Sequence, residues 1–214
     1  MIEPQENESL ISLFPTPLLL VRQPVSGKLR EDLKAMALDS LKRTNSSNEL
    51  LSHTKTMDPS SNPLFAEVAR LATPSLVRFG ELLFGQQLQW QVKEAWLNVL
   101  HKGGSQYMHS HANSFASAVI FLTPHHESSR TVFLRPAGGA AFVFKNEGPD
   151  IQMNPYNADR WVMPKVEPGD MVIYPSYLIH GVPPNQGDQR MTLALNATPD
   201  HLNSHGYQVR FSDA

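Results

Sequence analysis

Three histidines and one arginine in the second half of the chain have the types and spacing of a metal site beside an anion clamp. His109 and His111 stand one residue apart in MHSH, and His180 follows much later in YLIHGVPP. If MHSH is extended, side chains at i and i+2 project from the same face, so two imidazoles reach one ion from a single strand. A histidine from a later strand then closes one face of the ion, which leaves the other positions open for substrate, cosubstrate or oxygen.

Each histidine also has a simpler explanation as a surface or hydrogen-bonded residue, which is the commoner role for any one of the nine. The His109 and His111 pair gains weight from the strand-like run that follows it, and His180 from its place between a predicted strand and a proline-rich turn. His125 and His126 are the competing pair. Adjacent side chains on a strand face opposite ways, so one ion cannot easily take both of them.

Arg190 and Thr192 open a later predicted strand, RMTLALN, with side chains on the same face. An arginine at the start of a strand most often makes a surface ion pair that is worth little. The functional interpretation is that its planar fork holds a carboxylate through two parallel hydrogen bonds, with the hydroxyl of Thr192 as a third donor. A dicarboxylic cosubstrate would then chelate the ion at one end and pair with Arg190 at the other.

The elements that must position these residues change in character near Gly85. Before it, LFPTPLLLVRQP (13–24) is typical of an edge strand, and the apolar spacing in 29–44 predicts a helix. A polar, turn-rich stretch over 46–62 predicts a loop. The apolar stripe that follows Pro63 predicts a second helix over roughly 63–85.

After Gly85 the chain has many short apolar runs that are separated by Pro, Gly and Asn turns. The predicted strands are 88–100, 115–123, 130–134, 140–145, 160–163, 171–174, 190–197 and 206–211. Many short strands after two helices predict a mainly β protein, an antiparallel sandwich or jelly roll with helices on one face. We expect residues 1–87 to form an N-terminal strand and helices that pack on a core formed by 88–214, within one domain.

Composition excludes several classes of function. The chain has no cysteine, which excludes disulfides, thiolate nucleophiles and zinc–thiolate sites. Its net charge of −2 gives no electrostatic footprint for nucleic acid or for an anionic membrane. The N-terminus is unlike a signal peptide and no apolar run approaches a membrane-spanning length, so a cytoplasmic protein is expected. The apolar segment within 13–24 would be able to pair at a sheet edge across a homodimer.

The two blocks around the histidines resemble the iron(II)- and 2-oxoglutarate-dependent oxygenases, especially bacterial and phage members whose substrates are unassigned. Those proteins have a Trp and an Asn before a Gly, then His-x-His, a Ser and a strand. The matching positions here are Trp96, Asn98, Gly103 or Gly104, His109, His111, Ser114 and residues 117–121. The second block, VEPGDMVIYPSYLIHGVPPN, and the Arg-x-Thr that follows it are similar too, as is the Phe-Pro-Thr-Pro opening at 14–17. The resemblance covers most of 88–197.

The resemblance implies a double-stranded β-helix, Fe(II), and an enzyme that decarboxylates 2-oxoglutarate to succinate and carbon dioxide while most often hydroxylating a substrate. It implies that His109, His111 and His180 hold the metal at the catalytic centre. Arg190 and Thr192 would then hold the distal carboxylate. The further candidates for the cosubstrate pocket are Asn98 and Tyr107.

Other polar and aromatic residues have candidate roles around this centre. Metal-bound imidazoles usually donate their free N–H to a partner, and the available polar residues are Asn98, Ser110, Ser114 and Asp170. Asp170 follows Pro-Gly and is better explained as a turn residue. Trp161, Tyr174 and Tyr177 are candidate pocket residues, although aromatic residues of β proteins more often belong to the core. The polar insertion 146–160 suits a loop over the substrate or an inert connection.

One residue departs from the wider superfamily, which uses His-x-Asp/Glu, because His111 stands where the carboxylate is expected. Three neutral ligands leave more positive charge on the metal, and imidazole suits zinc and copper as well as iron. Two alternatives therefore remain open: a cupin-like three-His dioxygenase that does not use 2-oxoglutarate, and a jelly-roll module that binds a ligand without turnover. Arg190 and Thr192 argue against the first, since that chemistry needs no dicarboxylate clamp. The substrate, a small molecule or a protein side chain, is not encoded in these motifs.

Overall fold

The computed structural model describes residues 12–39, 43–45, 48–135 and 149–212. Their helices and strands, in chain order, are β1 (Leu19–Val21), α1 (Gly27–Asp39), β2 (Arg43–Asn45), β3 (Asn48–His53), α2 (Pro63–Phe84), β4 (Trp90–Leu100), β5 (Gln106–His109), β6 (Ala116–Phe121), β7 (Val132–Leu134), β8 (Arg160–Val162), β9 (Met171–Pro175), β10 (His180–Val182), β11 (Arg190–Pro199), β12 (His201–Ser204) and β13 (Tyr207–Arg210). No helix among them is long and apolar enough to cross a bilayer.

The strands form two antiparallel sheets and a terminal hairpin. The large sheet has the order β1-β9-β6-β11-β4-β3-β2, the small sheet has the order β5-β10-β7-β8, and β12 pairs with β13. Side chains of the two sheets meet between them, where Phe133 of β7 lies edge-on to Tyr174 of β9 at 5.2 Å between ring centroids. The predicted jelly roll with N-terminal helices is confirmed. β1 lies at the edge of the large sheet, as predicted, and its pairing across a homodimer stays a prediction.

The central strand β11 shows how the two faces of the large sheet differ. Successive side chains of a strand point to opposite faces. Met191, Leu193 and Leu195 belong to the larger apolar cluster, which also holds the buried residues of α1 and α2. Arg190 and Thr192 alternate with them and are buried on the opposite face, between the sheets. One face of the large sheet is therefore closed by helices, and the other lines the interior of the jelly roll.

The second helix forms where its local signals place it. The side chain of Asn62 caps its first turn by accepting the N–H groups of Leu64 and Phe65, and Pro63 follows the cap. Gly85 ends it in the left-handed region at φ 67°, a conformation that glycine adopts without steric cost. The helix also packs tightly on the sheet, because a Cβ at Gly80 would collide with the indole of Trp90.

The N-terminal part differs from the prediction at two places. The predicted loop over 46–62 contains β3, in which Leu51 pairs with Leu100 of β4. The predicted helix over 29–44 ends at Asp39, and 43–45 is strand β2. β3 is stabilised by pairing with the distant strand β4, and β2 forms because it pairs with β3. Strand pairing of this kind leaves little trace in local polarity. The predicted strand 140–145 lies outside the described residues.

Candidate metal centre

Two of the predicted metal ligands are direct neighbours across the small sheet. His109 is the last residue of β5 and His180 the first residue of β10, and their Cα atoms are register partners in the antiparallel pair. Opposed residues of such a pair place their side chains on the same face. The two imidazole centroids are 4.4 Å apart. On its other side His180 pairs with Phe133 of β7, so it lies within the sheet rather than at an edge.

The third histidine reaches the same point from just beyond the end of β5. Its backbone N–H donates to the carbonyl of Ser176 at 3.0 Å, a contact that holds the chain after β5 against the end of β9. The ring of His111 lies 5.1 Å from the rings of both His109 and His180, measured between centroids. One ligand nitrogen from each histidine lies within 4.8 Å of the others. The structure therefore brings the three predicted ligands together.

Backbone carbonyls orient two of the three rings for metal binding. Nδ1 of His109 lies 2.8 Å from the carbonyl of Tyr107, and Nδ1 of His180 lies 2.9 Å from the carbonyl of Leu178. Because a carbonyl can only accept, each Nδ1 must carry the proton, and each Nε2 is left with a lone pair. Histidine ligands of metals are commonly held in this way.

Burial keeps the imidazoles of His180 and His111 neutral at neutral pH. It lowers the pKa of His180 to about 3 and that of His111 to about 4, and in both cases the neighbouring His109 adds to the effect of desolvation. A neutral imidazole is the form that binds a metal ion, so at neutral pH these two ligands have no proton to lose. The group is suited to a cation such as Fe(II), which imidazole ligates well.

Arg190 is a buried cation whose hydrogen bonds are incomplete. Only 4% of the residue is exposed, and its Nε has no hydrogen-bond partner among the described residues. One terminal nitrogen donates to Thr131 Oγ1 at 3.5 Å, and the guanidinium carbon lies 5.4 Å from the ring centroid of Phe121. Burial lowers the pKa of Arg190 to about 10, which still leaves it charged at neutral pH. A buried charge of this kind is costly unless an anion pairs with it.

The other predicted cosubstrate residues divide into buried and exposed ones. Thr192 and Asn98 are both buried and are register partners across β11 and β4, on the face that carries Arg190. The side chain of Tyr107 lies on the surface, and the residue is 65% exposed. Its contact with the centre is through its backbone carbonyl, which accepts from His109.

A hydrogen-bond chain whose middle members, Ser176, Ser117 and Asn196, are buried secures the loop that carries His111. Ser114 donates to the hydroxyl of Ser176, which lies 2.9 Å from that of Ser117, and Ser117 donates to Asn196 Oδ1 at 2.8 Å. The amide of Asn196 in turn donates to Glu94. Because the carbonyl of Ser176 also accepts from His111, this chain connects the ligand loop to the large sheet. The sequence suggested an orienting role for Ser114 but none for Ser117 and Ser176, since nothing local signals their contact.

Tyr174 is the aromatic candidate that the structure places at the centre. It is 2% exposed, and its hydroxyl lies 3.0 Å from Nε2 of His180. Burial raises its pKa well above the ordinary value for tyrosine, so the hydroxyl keeps its proton. The other two candidates, Tyr177 and Trp161, are 60% and 46% exposed. Trp96, which the sequence offered only as part of a motif, lies with its ring 5.6 Å from that of His111.

Two further groups lie apart from the centre. Asp170 accepts from Arg22, from the backbone of Gln23 and from the N–H of Glu167, which confirms that it holds a turn. His125 packs on Phe121 at 5.3 Å, and His126 caps a short turn by accepting from the N–H of Ser128. The histidine trio is the only group of three possible metal ligands found among the described residues.

The predicted covering loop is only partly described, from residue 149 to β8. Its turn is held by its own amides, because Asn154 Oδ1 accepts from the N–H of Tyr156 and Asn157 Oδ1 accepts from the N–H of Asn154. Arg135, next to β7, donates to the carbonyl of Tyr156. A role in covering the substrate stays a prediction.

Comparison with known proteins agrees with this geometry. Residues 94–196 match the family model described as "Putative 2OG-Fe(II) oxygenase", a segment that contains all three histidines and Arg190. No curated protein sequence matches the chain.

Solved structures show the same fold at low sequence identity. HygX from Streptomyces hygroscopicus, with nickel and 2-oxoglutarate bound, is 13% identical with a TM-score of 0.61, over 86% of this chain and 83% of that chain. A 2OG-Fe(II) oxygenase family oxidoreductase from Burkholderia pseudomallei is 12% identical with a TM-score of 0.58, over 85% and 84%. The carbocyclase SnoK from nogalamycin biosynthesis is 14% identical with a TM-score of 0.62, over 87% and 81%.

Proposed function

We propose that this chain, whose residues 94–196 match a family model of 2OG-Fe(II) oxygenases, is an Fe(II)- and 2-oxoglutarate-dependent dioxygenase that hydroxylates its substrate. His109, His111 and His180 would hold the metal. Arg190 and Thr192 would hold the distal carboxylate of 2-oxoglutarate, and Asn98 would lie beside them. The products released from the cosubstrate would be succinate and carbon dioxide.

The observation that carries this proposal is the incomplete bonding of Arg190. Its buried guanidinium keeps a donor for which the described part of the chain offers no partner, on the sheet face that lines the interior of the jelly roll. Leaving a charge buried and unpaired is strongly destabilising, so a folded chain that keeps one is expected to bind an anion there. A dicarboxylate satisfies this requirement, and its other end can reach a metal. The donor set and the orphaned guanidinium therefore both fit the two groups that the family uses.

Each protein group has a definable task. Fe(II), with 2-oxoglutarate and oxygen, supplies the oxidation of an unreactive C–H bond. The carbonyls of Tyr107 and Leu178 hold two imidazoles with Nε2 free, and the carbonyl of Ser176 holds the segment that carries the third. Phe133 packs against His180 at 6.0 Å between ring centroids and helps to exclude water from that side.

A histidine at position 111, in place of a carboxylate, leaves more positive charge on the metal ion. A carboxylate ligand would neutralise part of the charge of a divalent ion, whereas three imidazoles neutralise none of it. The dicarboxylate must then supply all the negative charge at the centre. We expect metal and 2-oxoglutarate to strengthen each other's binding for this reason.

The direct test is the release of succinate from 2-oxoglutarate by purified protein with added Fe(II) and ascorbate. Wild type is expected to turn over, even slowly and without its substrate, while His180→Ala and Arg190→Ala should lose the reaction. Arg70→Ala, at an exposed arginine that pairs with Glu67, is the matched control and should behave as wild type. Equal rates in wild type and Arg190→Ala would contradict the proposal.

The three-His donor set by itself also suits a cupin-like dioxygenase that takes oxygen without 2-oxoglutarate. Oxygen uptake separates the two functions, since the proposed enzyme consumes oxygen only when 2-oxoglutarate is present. Full occupancy by zinc in protein purified without chelators, with no oxygen uptake, would instead favour the ligand-binding module.

For the substrate we propose a small molecule. HygX has been solved with hygromycin B bound, which is a precedent for this fold. In this chain the strands that carry His109 and His180 begin beside exposed aromatic residues, Tyr107 and Tyr177. Exposed aromatic faces suit the stacking of a compact ligand with a flat apolar surface.

A further inference from the structure

Tyr174 connects the metal centre to the region of Arg190. It lies on β9, is almost fully buried, and faces the interior of the jelly roll, opposite Ile173, which packs on the helical side. Its hydroxyl is 3.0 Å from Nε2 of His180. Since Nδ1 of His180 donates to Leu178, Nε2 is an acceptor and the tyrosine hydroxyl must be the donor. The hydroxyl therefore occupies the lone pair that a metal ion would need.

Metal binding would leave this hydroxyl without its acceptor. A buried donor that loses its partner costs more than the hydrogen bond itself contributed. The guanidinium of Arg190, whose charge opposes the rise in the pKa of Tyr174, cannot replace the acceptor because it has only donors. The rings packed on Tyr174 are those of Phe133 and His180, which offer no acceptor once Nε2 is bound.

Tyr174 and Arg190 thus have the same requirement. Arg190 has an N–H with no acceptor within the described ranges of the chain, and Tyr174 would lose the acceptor of its O–H when a metal binds His180. Both are satisfied by one bound group that brings carboxylate oxygens between them. A dicarboxylate that reaches from the metal towards Arg190 has oxygens for both donors.

We propose that Tyr174 is a positioning residue that couples the two binding events: its hydroxyl occupies Nε2 of His180 in the metal-free protein and turns to the carboxylate of the cosubstrate once a metal has taken that nitrogen. This inference rests on the proposed use of 2-oxoglutarate. The hydroxyl of Tyr174 would therefore compete with a metal ion that binds alone. It would stabilise the complex in which both the metal and the cosubstrate are bound. The coupling between the two ligands then contains a contribution from one hydroxyl.

Tyr174→Phe removes that hydroxyl and leaves the ring in place. Calorimetry with Ni(II), a stand-in for Fe(II) that is not oxidised during the titration, measures the metal alone and then 2-oxoglutarate binding to the Ni(II)-loaded protein. Ni(II) alone is expected to bind roughly fivefold more tightly to the variant, because no hydrogen bond has to be broken. 2-Oxoglutarate is expected to bind roughly tenfold more weakly, because a donor is missing. The matched control Tyr207→Phe alters an exposed hydroxyl on β13 of the terminal hairpin and should change neither affinity.

Opposite changes in the two affinities would support the coupling, since a purely structural defect lowers both. Two unchanged affinities, or two that fall together with a lower unfolding temperature, would overturn the role of Tyr174 and leave the proposed function intact. A wild-type protein that binds Ni(II) but no 2-oxoglutarate would overturn both proposals. Wild type and Tyr174→Phe are therefore titrated side by side.

Discussion

The two faces of the large sheet are built from the same strands, but one packs against the helices and the other lines the interior of the jelly roll. On one face Met191, Leu193 and Leu195 are enclosed by the helices in a continuous apolar cluster. On the other face Arg190 and Thr192 are equally buried but polar. Because strand side chains alternate with a period of two, the stability of the fold and the chemistry of the site are interleaved along a single strand. Among the described residues each face keeps a donor without a partner, but on the apolar face it is the neutral indole N–H of Trp90, whereas on the polar face it is Nε of the charged Arg190.

The polar face is itself divided. At one end the chain from Ser114 through Ser176 and Ser117 to Asn196 satisfies its hydrogen bonds within the protein. At the other end no described residue accepts a hydrogen bond from Arg190 Nε. Satisfied buried networks stiffen a structure, and unsatisfied groups mark where a ligand is expected. The first end therefore holds the loop that carries His111 in place, and the second end is where we propose that the cosubstrate binds.

The largest expected effect separates the polar face from the fold. His180→Ala removes the most buried imidazole of the three, and we expect metal affinity to fall by at least about a hundredfold, more than the loss that follows removal of a supporting partner. The metal-free variant should still unfold cooperatively. Metal titration by calorimetry and thermal unfolding without metal measure the two properties. His125→Ala is the control, and an equal loss of metal binding in it would show that the wrong histidines had been chosen.

A substitution on the helical face should do the opposite, lowering stability without changing metal affinity. Leu193→Ala leaves a cavity beneath the helices and should lower the free energy of unfolding by about 2–5 kcal/mol. The folded fraction should still bind metal with wild-type affinity, because the neighbouring Thr192 points the other way. Chemical denaturation and calorimetry below the unfolding transition test this. A large fall in metal affinity would show that the two faces are not independent.

Arg190→Met should stabilise the metal-free protein but weaken its binding of 2-oxoglutarate. Methionine fills a similar volume without the buried charge, and we expect the metal-free protein to become more stable by about 1 kcal/mol. Binding of 2-oxoglutarate to the metal-loaded protein should weaken by about a hundredfold, since a bidentate charged contact is lost. Urea denaturation and calorimetry report the two effects. A destabilised variant would mean that the protein itself already satisfies Arg190.

Acid should lower the stability of the protein first through the histidines of the metal centre, and not through the apolar face that packs on the helices. His180 and His111 have pKa values of about 3 and about 4 in the folded protein, below the ordinary value of 6.5. The unfolded chain therefore binds protons first as pH falls, and the metal-free protein should lose stability from about pH 6.5 down towards pH 4. Denaturation midpoints at pH 7.5, 6 and 5 measure this. His180→Ala should flatten the dependence, and an unchanged slope would refute the assignment to His180.

The smallest expected effect concerns the end of the polar face where the hydrogen bonds are satisfied within the protein. Ser117→Ala leaves Asn196 Oδ1 without its donor and should cost about 1–3 kcal/mol of stability. Metal affinity should fall only a few-fold, because the carbonyl of Ser176 still accepts from His111. Ser128→Ala, at an exposed serine beside His126, is the control for loss of a hydroxyl. A loss of metal binding as large as that of His180→Ala would mean that Ser117 is itself part of the metal centre.

Much of the fold and the site could be predicted because local periodicity encodes it. The cap at Asn62, the apolar stripe and Gly85 are consecutive signals, and helix α2 ends within one residue of the prediction. The period of two places Arg190 and Thr192 on one face whatever the rest of the sheet does. Three imidazole side chains as candidate ligands indicated a metal centre with open coordination positions.

Only the tertiary structure decided how these pieces meet. The register that sets His180 opposite His109, the bond from His111 to Ser176, and the placement of the Tyr174 hydroxyl on His180 all join distant parts of the chain. Strand β3 is not predicted for the same reason, since its partner is β4 and four of its six residues are polar. Strand pairing and the burial of Arg190 depend on which surfaces are brought together, and local sequence patterns carry no record of the partner.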